Sequence, residues 1–286
     1  MASLRDFTSE CPITQRFRAG LSMLGPYGSA AGLLLALWCF PPIFSSFILG
    51  CQNQPTTLSG PVARVAEPID PATVGSVSGT VTFTGTAPKP IAIDVGQDPA
   101  CSVASKEQIF GEALIANDGK LANAFVYVKR GAEKFASTVP TEAAVLDQKG
   151  CRYEPHVLGL VTGQKLRILN SDPAIHNVHP AAKNNQSWNI SQMPGGAPVE
   201  KTFAREELMV PVTCNQHPWM RMYVNVLRHP FFAISDAGGR FEIRGLPPGD
   251  YTLAVVHEKL GTQEQQFKLA PRETKRDVQF ALGSGK

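Results

Sequence analysis

The chain has 286 residues, a formal charge of +3 and 43% hydrophobic side chains, enough for about two globular domains once a targeting segment is set aside. This composition fits neither a fibrous nor a disordered class. Its basic residues are scattered among acidic ones, with no stripe able to follow a phosphate backbone, which argues against a nucleic-acid partner.

Arg5, Arg16 and Arg18 precede an uncharged stretch, "AGLLLALWCFPPIFSSFILGC", that ends at Cys51. A basic region, an apolar core and a small residue at the cleavage point read as a secretory signal over residues 1–50. Ile48-Leu49-Gly50-Cys51 resembles the lipobox of bacterial lipoproteins. That resemblance implies cleavage before Cys51, a lipid on its sulfur, and a membrane anchor on the periplasmic side. The polar, proline-rich segment 51–74 then reads as a flexible tether. The alternative is a single uncleaved N-terminal anchor, which Pro41-Pro42 disfavours without removing.

Cys11 and Cys39 leave with the signal and Cys51 takes the lipid, so the exported part keeps Cys101, Cys151 and Cys214. Outside the cytoplasm two thiols tend to pair, and the odd one needs a reason to stay free. If Cys214 is a metal thiolate, Cys101 and Cys151 are left as a disulfide pair.

In chain order, "VSGTVTFTG" places Val77, Val81 and Phe83 on one face and Ser78, Thr80 and Thr82 on the other. That is the period of a half-buried strand. The pattern returns at residues 123–129, 164–170, 221–227, 239–245 and 250–256, separated by Gly and Pro clusters that set turns. Residues 201–209, "KTFAREELM", are the segment expected to hold a helical turn. The fold class is therefore all-β, built as sandwiches.

"VTCNQHPWMRMYVNV" brings a cysteine, a histidine and a methionine within seven residues: Cys214, His217 and Met220. Thiolate, imidazole and thioether together suit copper, whereas zinc more often takes further Cys or His and has little use for Met. A second histidine is available in "NSDPAIHNVHP", which follows the strand at 164–170. These motifs, "HNV" after a strand and "C-x-x-H-x-x-M" before another, resemble those of the cupredoxins, with a ligand loop similar in length to that of amicyanin. The resemblance implies a Greek-key β-sandwich and one type 1 copper ion held by His176, Cys214, His217 and Met220. It further implies that Asn177 bonds the cysteine sulfur and ties the two ligand loops together through Asn215. Pro218 and Trp219 would then flank an exposed histidine edge where a redox partner docks. His179 is read as a solvated loop residue or secondary ligand. Met193, Met209 and Met222 are read as core fillers, and His156, His229 and His257 as structural.

Residues 231–258, "FFAISDAGGRFEIRGLPPGDYTLAVVHE", resemble the closing strands of the carboxypeptidase regulatory-like, or transthyretin-like, sandwich. Residues 229–284 are too few for such a sandwich alone, and its opening strands resemble "VSGTVTF" and "LANAFVYV" far upstream. The expected organisation is a split sandwich, 75–138 and 229–284, with the cupredoxin, 139–228, inserted; two domains in series is the alternative.

Four protein ligands leave no position for a substrate, and no carboxylate pair, Ser-His-Asp set or phosphate loop accompanies them. The expectation is a membrane-tethered electron carrier and not an enzyme, serving a c-type cytochrome or a membrane oxidoreductase. Its competitor is a copper-binding or copper-delivery protein.

Overall fold

A computed structural model describes residues 66–283, which belong to one compact unit. The signal segment 1–50 and the lipidation residue Cys51 lie outside the described residues. No helix among those described is long and apolar enough to cross a membrane.

The described chain is almost wholly strand, in four main sheets and one two-stranded ribbon. One sheet orders Arg240–Leu246, Gly75–Thr84, Lys120–Leu121 and Ala116–Asn117, with Thr274–Gly283 paired in parallel to Gly75–Thr84. A second orders Phe232–Ile234, Phe125–Arg130, Gly249–His257 and Gly261–Leu269. Val77, Val81 and Phe83 from the first sheet meet Val126, Val128, Leu253 and Val255 from the second in one core. The period-two pattern read from the sequence puts these side chains there.

The other two sheets draw on residues 144–227. Val199–Thr202, Lys165–Asn170, Ala144–Gln148 and Tyr153–Glu154 form one, and Ile190–Gln192, His176–Pro180, Glu207–Thr213, Arg221–Leu227 and Val157–Val161 the other. Leu146, Leu166 and Ile168 pack across against Val178, Val212, Met222, Val224 and Val226.

The two sandwiches share a seam. Phe125 and Tyr127 turn away from their own core and pack with Val157, Leu227 and Ala254. Strand Phe125–Arg130 is thus buried on both faces, which is why "FVYV" lacks the alternation of a half-exposed strand. Gly159 lies under Phe232 in this seam, and a Cβ there would sit 2.2 Å from a ring carbon. Gly159→Ala is therefore expected to lower stability by about 1 to 3 kcal/mol through overpacking, measured by denaturant unfolding.

Three sequence expectations are corrected here. Residues 201–209 hold no helical turn: they run from one strand into another, through a bulge between Glu207 and Val210. The buried Glu207 carboxylate accepts the backbone N–H groups of Lys183, Asn184 and Asn185, so the acidic residue that suggested a helix clamps a loop. The tether ends earlier than residue 74. Glu67 bridges Phe135 and Ile69 packs on the first core, so residues 66–74 are held by the sandwich. Of the three methionines read as core fillers, Met222 is buried, but Met209 is half-buried at the bulge and Met193 is 60% exposed at a turn.

Candidate metal centre

The site forms where strand His176–Pro180 begins and where the loop after Glu207–Thr213 turns back into Arg221–Leu227. That loop is closed by its own backbone. The Cys214 amide donates to the Met220 carbonyl at 3.3 Å, and the Met220 amide donates to the His217 carbonyl at 2.9 Å. A three-residue spacing between Cys, His and Met therefore brings all three side chains to one end of the sandwich.

The four expected ligand residues are all buried: His176, His217, Cys214 and Met220 are 0%, 2%, 3% and 1% exposed. The Nδ1 atoms of His176 and His217 face each other at 2.9 Å, and Cys214 Sγ lies 3.6 Å from His217 Nδ1. Two imidazole nitrogens and a thiol sulfur converging in a water-excluded pocket match the donor chemistry of copper. Two other groupings have ligand-type atoms within 4.8 Å of one another, Cys101 with His176 and His217, and Cys151 with Asp172 and His176. Their sulfurs are joined in the Cys101–Cys151 disulfide, whereas Cys214 is the free thiol. Among the described residues, Cys214 alone can supply a thiolate.

Asn177 ties the two ligand loops. Its amide lies 3.5 Å from Cys214 Sγ, and its Oδ1 accepts the Asn215 amide at 2.7 Å. The Cys214 thiol also points at that Oδ1, at 3.3 Å. Asn177→Ala is expected to cost about 1 to 2 kcal/mol, because the Asn215 amide loses its acceptor; thermal unfolding of the metal-free protein measures it. His179 stands apart on the neighbouring strand position, its Nδ1 3.2 Å from Asn215 Oδ1. His156 is buried and paired with Glu258.

Burial would push the Cys214 thiol up, but hydrogen bonds from His176 and from the amides of Asn177, Gln216 and His217 bring it down to about 6. Burial would likewise lower His176, and its bonds to Asp172 and Cys214 outweigh this, raising it to about 9. The two shifts run in opposite directions, each group favouring the charged form of the other in the metal-free chain.

No family model matches the chain, and no curated protein does. Solved copper proteins align with parts of it. A copper-containing nitrite reductase from Thermus scotoductus aligns at 17% identity and a TM-score of 0.29, over 35% of this chain and 25% of that one. The chain thus spans about a quarter of the reductase's length. A methionine-to-alanine mutant of amicyanin in its Cu(I) form aligns at 24% identity and a TM-score of 0.27, over 32% of this chain and 97% of its own. A purple cupredoxin from Nitrosopumilus maritimus aligns at 22% identity and a TM-score of 0.26, over 29% of this chain and 99% of its own.

One expectation drawn from the resemblance is corrected. The edge of His217 is not open to solvent. Asp98 Oδ2 lies 2.9 Å from His217 Nε2, and Cys101 Sγ lies 3.7 Å from the same nitrogen. Trp219 is half-buried, donating its indole N–H to the Cys151 carbonyl at 3.1 Å and packing on the disulfide; Pro218 is exposed. Residues that the sequence reading missed therefore close the site: Asp98 on His217, and Asp172, whose Oδ2 lies 2.9 Å from His176 Nε2. Asp172 had a signal, four residues before His176 on a turn; Asp98, 119 residues from His217, had none.

Proposed function

We propose that this protein is a copper-binding electron carrier of the cupredoxin kind, exported and tethered to a membrane through lipid on Cys51. It holds one copper ion at His176, Cys214, His217 and Met220. The observation that carries this reading is the convergence of Cys214 Sγ with the Nδ1 atoms of His176 and His217 in a buried pocket.

Bound there, copper supplies a one-electron Cu(II)/Cu(I) couple. The chain's own residues do the rest. Cys214 offers a thiolate already formed at neutral pH, the two histidines offer nitrogen donors, and the buried Met220 offers a weak soft one. Asn177 and the backbone-closed loop hold these donors in one arrangement, so that a change of oxidation state calls for little movement. Burial keeps water and substrates out, which fits a carrier better than an enzyme.

The strand pairing supports the related reading that 139–228 is inserted in a regulatory-like sandwich formed by 75–138 and 229–284, which acts as scaffold. A c-type cytochrome or membrane oxidoreductase on the periplasmic side is the partner class of this reading.

Visible and EPR spectra of the Cu(II)-loaded protein test it. An intense thiolate-to-copper band, narrow hyperfine splitting and a reversible one-electron wave are expected. A pale spectrum with ordinary tetragonal splitting sinks the carrier reading and favours copper delivery.

A further inference from the structure

Both ligand histidines end on a carboxylate, and the two carboxylates are strapped together by one disulfide. Asp172 Oδ2 takes His176 Nε2 at 2.9 Å and also accepts the Cys151 amide at 2.8 Å. Asp98 Oδ2 takes His217 Nε2 at 2.9 Å, while its Oδ1 caps the short helix Pro99–Ala104 that carries Cys101. Cys101 Sγ and Cys151 Sγ stand 3.7 and 3.8 Å from the two Nε2 atoms. Asp98 comes from a segment preceding the strands of the candidate metal sandwich, and that segment is crosslinked to the site by the disulfide, with the Ser105 hydroxyl donating to the Gly150 carbonyl beside it at 2.7 Å.

We propose that Asp98 is a positioning residue of the metal centre: delivered by the Cys101–Cys151 disulfide, it fixes the orientation of His217 and strengthens its Nδ1 as a donor. The inference rests on the copper reading above. A neutral imidazole carries one N–H, and donating it from Nε2 to a carboxylate leaves the lone pair on Nδ1, facing Cys214 and His176. With the ring buried, Nε2–H has no bulk water to turn to, so the carboxylate holds the ring against rotation. A carboxylate on the far nitrogen raises the basicity of a ligating imidazole. That favours Cu(II) over the softer Cu(I). Asp172 serves His176 in the same way, but it also holds the Gly150 and Cys151 amides, so its replacement would disturb the loop as well.

Asp98→Asn is the discriminating variant, because it removes the carboxylate charge and leaves one acceptor oxygen for two donors, the Ala100 amide, which an asparagine caps well, and Nε2–H. In the metal-free protein, long-range proton–nitrogen NMR is expected to find His217 in the Nε2–H form and to find that preference lost in Asp98→Asn. In the copper-loaded protein, Cu(II) affinity relative to Cu(I) is expected to fall about 10- to 100-fold, a rise in midpoint potential of about 59 mV per tenfold for one electron. The double variant Cys101→Ser, Cys151→Ser, which frees the segment, is expected to move the potential in the same direction. An unmoved potential in Asp98→Asn, with the wild-type spectrum intact, overturns this inference and leaves the copper reading standing. A wild-type protein without the thiolate band overturns the copper reading itself, and the donor-strength claim with it.

Discussion

Cys214→Ser is expected to abolish the intense visible band and to convert the EPR spectrum of the Cu(II) protein to ordinary tetragonal splitting, with copper affinity reduced by orders of magnitude. A serine hydroxyl stays protonated where a thiol held to about 6 is already ionised, and soft sulfur is what gives this donor set its preference for copper. The thiolate can be observed without metal. Its ultraviolet absorption should titrate with a midpoint near pH 6 in the wild type and be missing from the variant. The stability of the metal-free protein should meanwhile change little over the same range. The lowered Cys214 value, against an ordinary 9.0, makes a contribution present above pH 9 and lost as pH falls to about 6. The raised His176 value, against an ordinary 6.5, makes one present below 6.5 and lost as pH rises to about 9. Across the shared window the two slopes oppose, so their net effect is below about 1 kcal/mol. A proton moves from sulfur to imidazole with almost no change in the total bound. A thiol titrating near its ordinary value, or a steep stability change between pH 6.5 and 9, would contradict the pair.

Replacing Cys101 and Cys151 together by serine is expected to cost about 4 kcal/mol, the chain-entropy value for a loop of about 50 residues; the two cysteines are 50 apart. For a unit of this size the melting temperature should fall by about 8 to 16 °C. The loss should be concentrated near the site. Both cysteines are fully buried and cluster with Ala174 and Trp219, and without the bridge the segment carrying Asp98 keeps only its hydrogen bonds and the packing of Val95, Ala100 and Ala104. Hydrogen exchange should rise first in residues 94–105 and then at His217. A melting temperature within 2 °C of the wild type would mean that those hydrogen bonds and the seam suffice without the crosslink.

Much of the strand content was legible because burial of one face imposes a period of two. Val77, Val81 and Phe83 meet that rule and lie in the core. "AREEL" misled because a run rich in Glu and Arg has helix propensity, whereas Glu207 is placed by the three amides it satisfies. Pairing of Gly75–Thr84 with Thr274–Gly283 has no local signature, since the two strands join ends of the chain that only the folded topology brings together.

The candidate donors could be picked out without coordinates. Cys214, His217 and Met220 share one short loop whose spacing closes on itself, and His176 opens the strand that faces it. Nothing local linked Asp98 to His217 or set the disulfide against both imidazoles. Those contacts depend on where a distant segment lands. The sequence by itself determined the all-β class and placed Cys214, His217 and Met220 in one short loop, because alternation and loop spacing are short-range properties. The tertiary structure alone decided that the histidine edge is covered, by which carboxylate, and under what crosslink, because burial and long-range hydrogen bonds exist only once the sandwiches have packed.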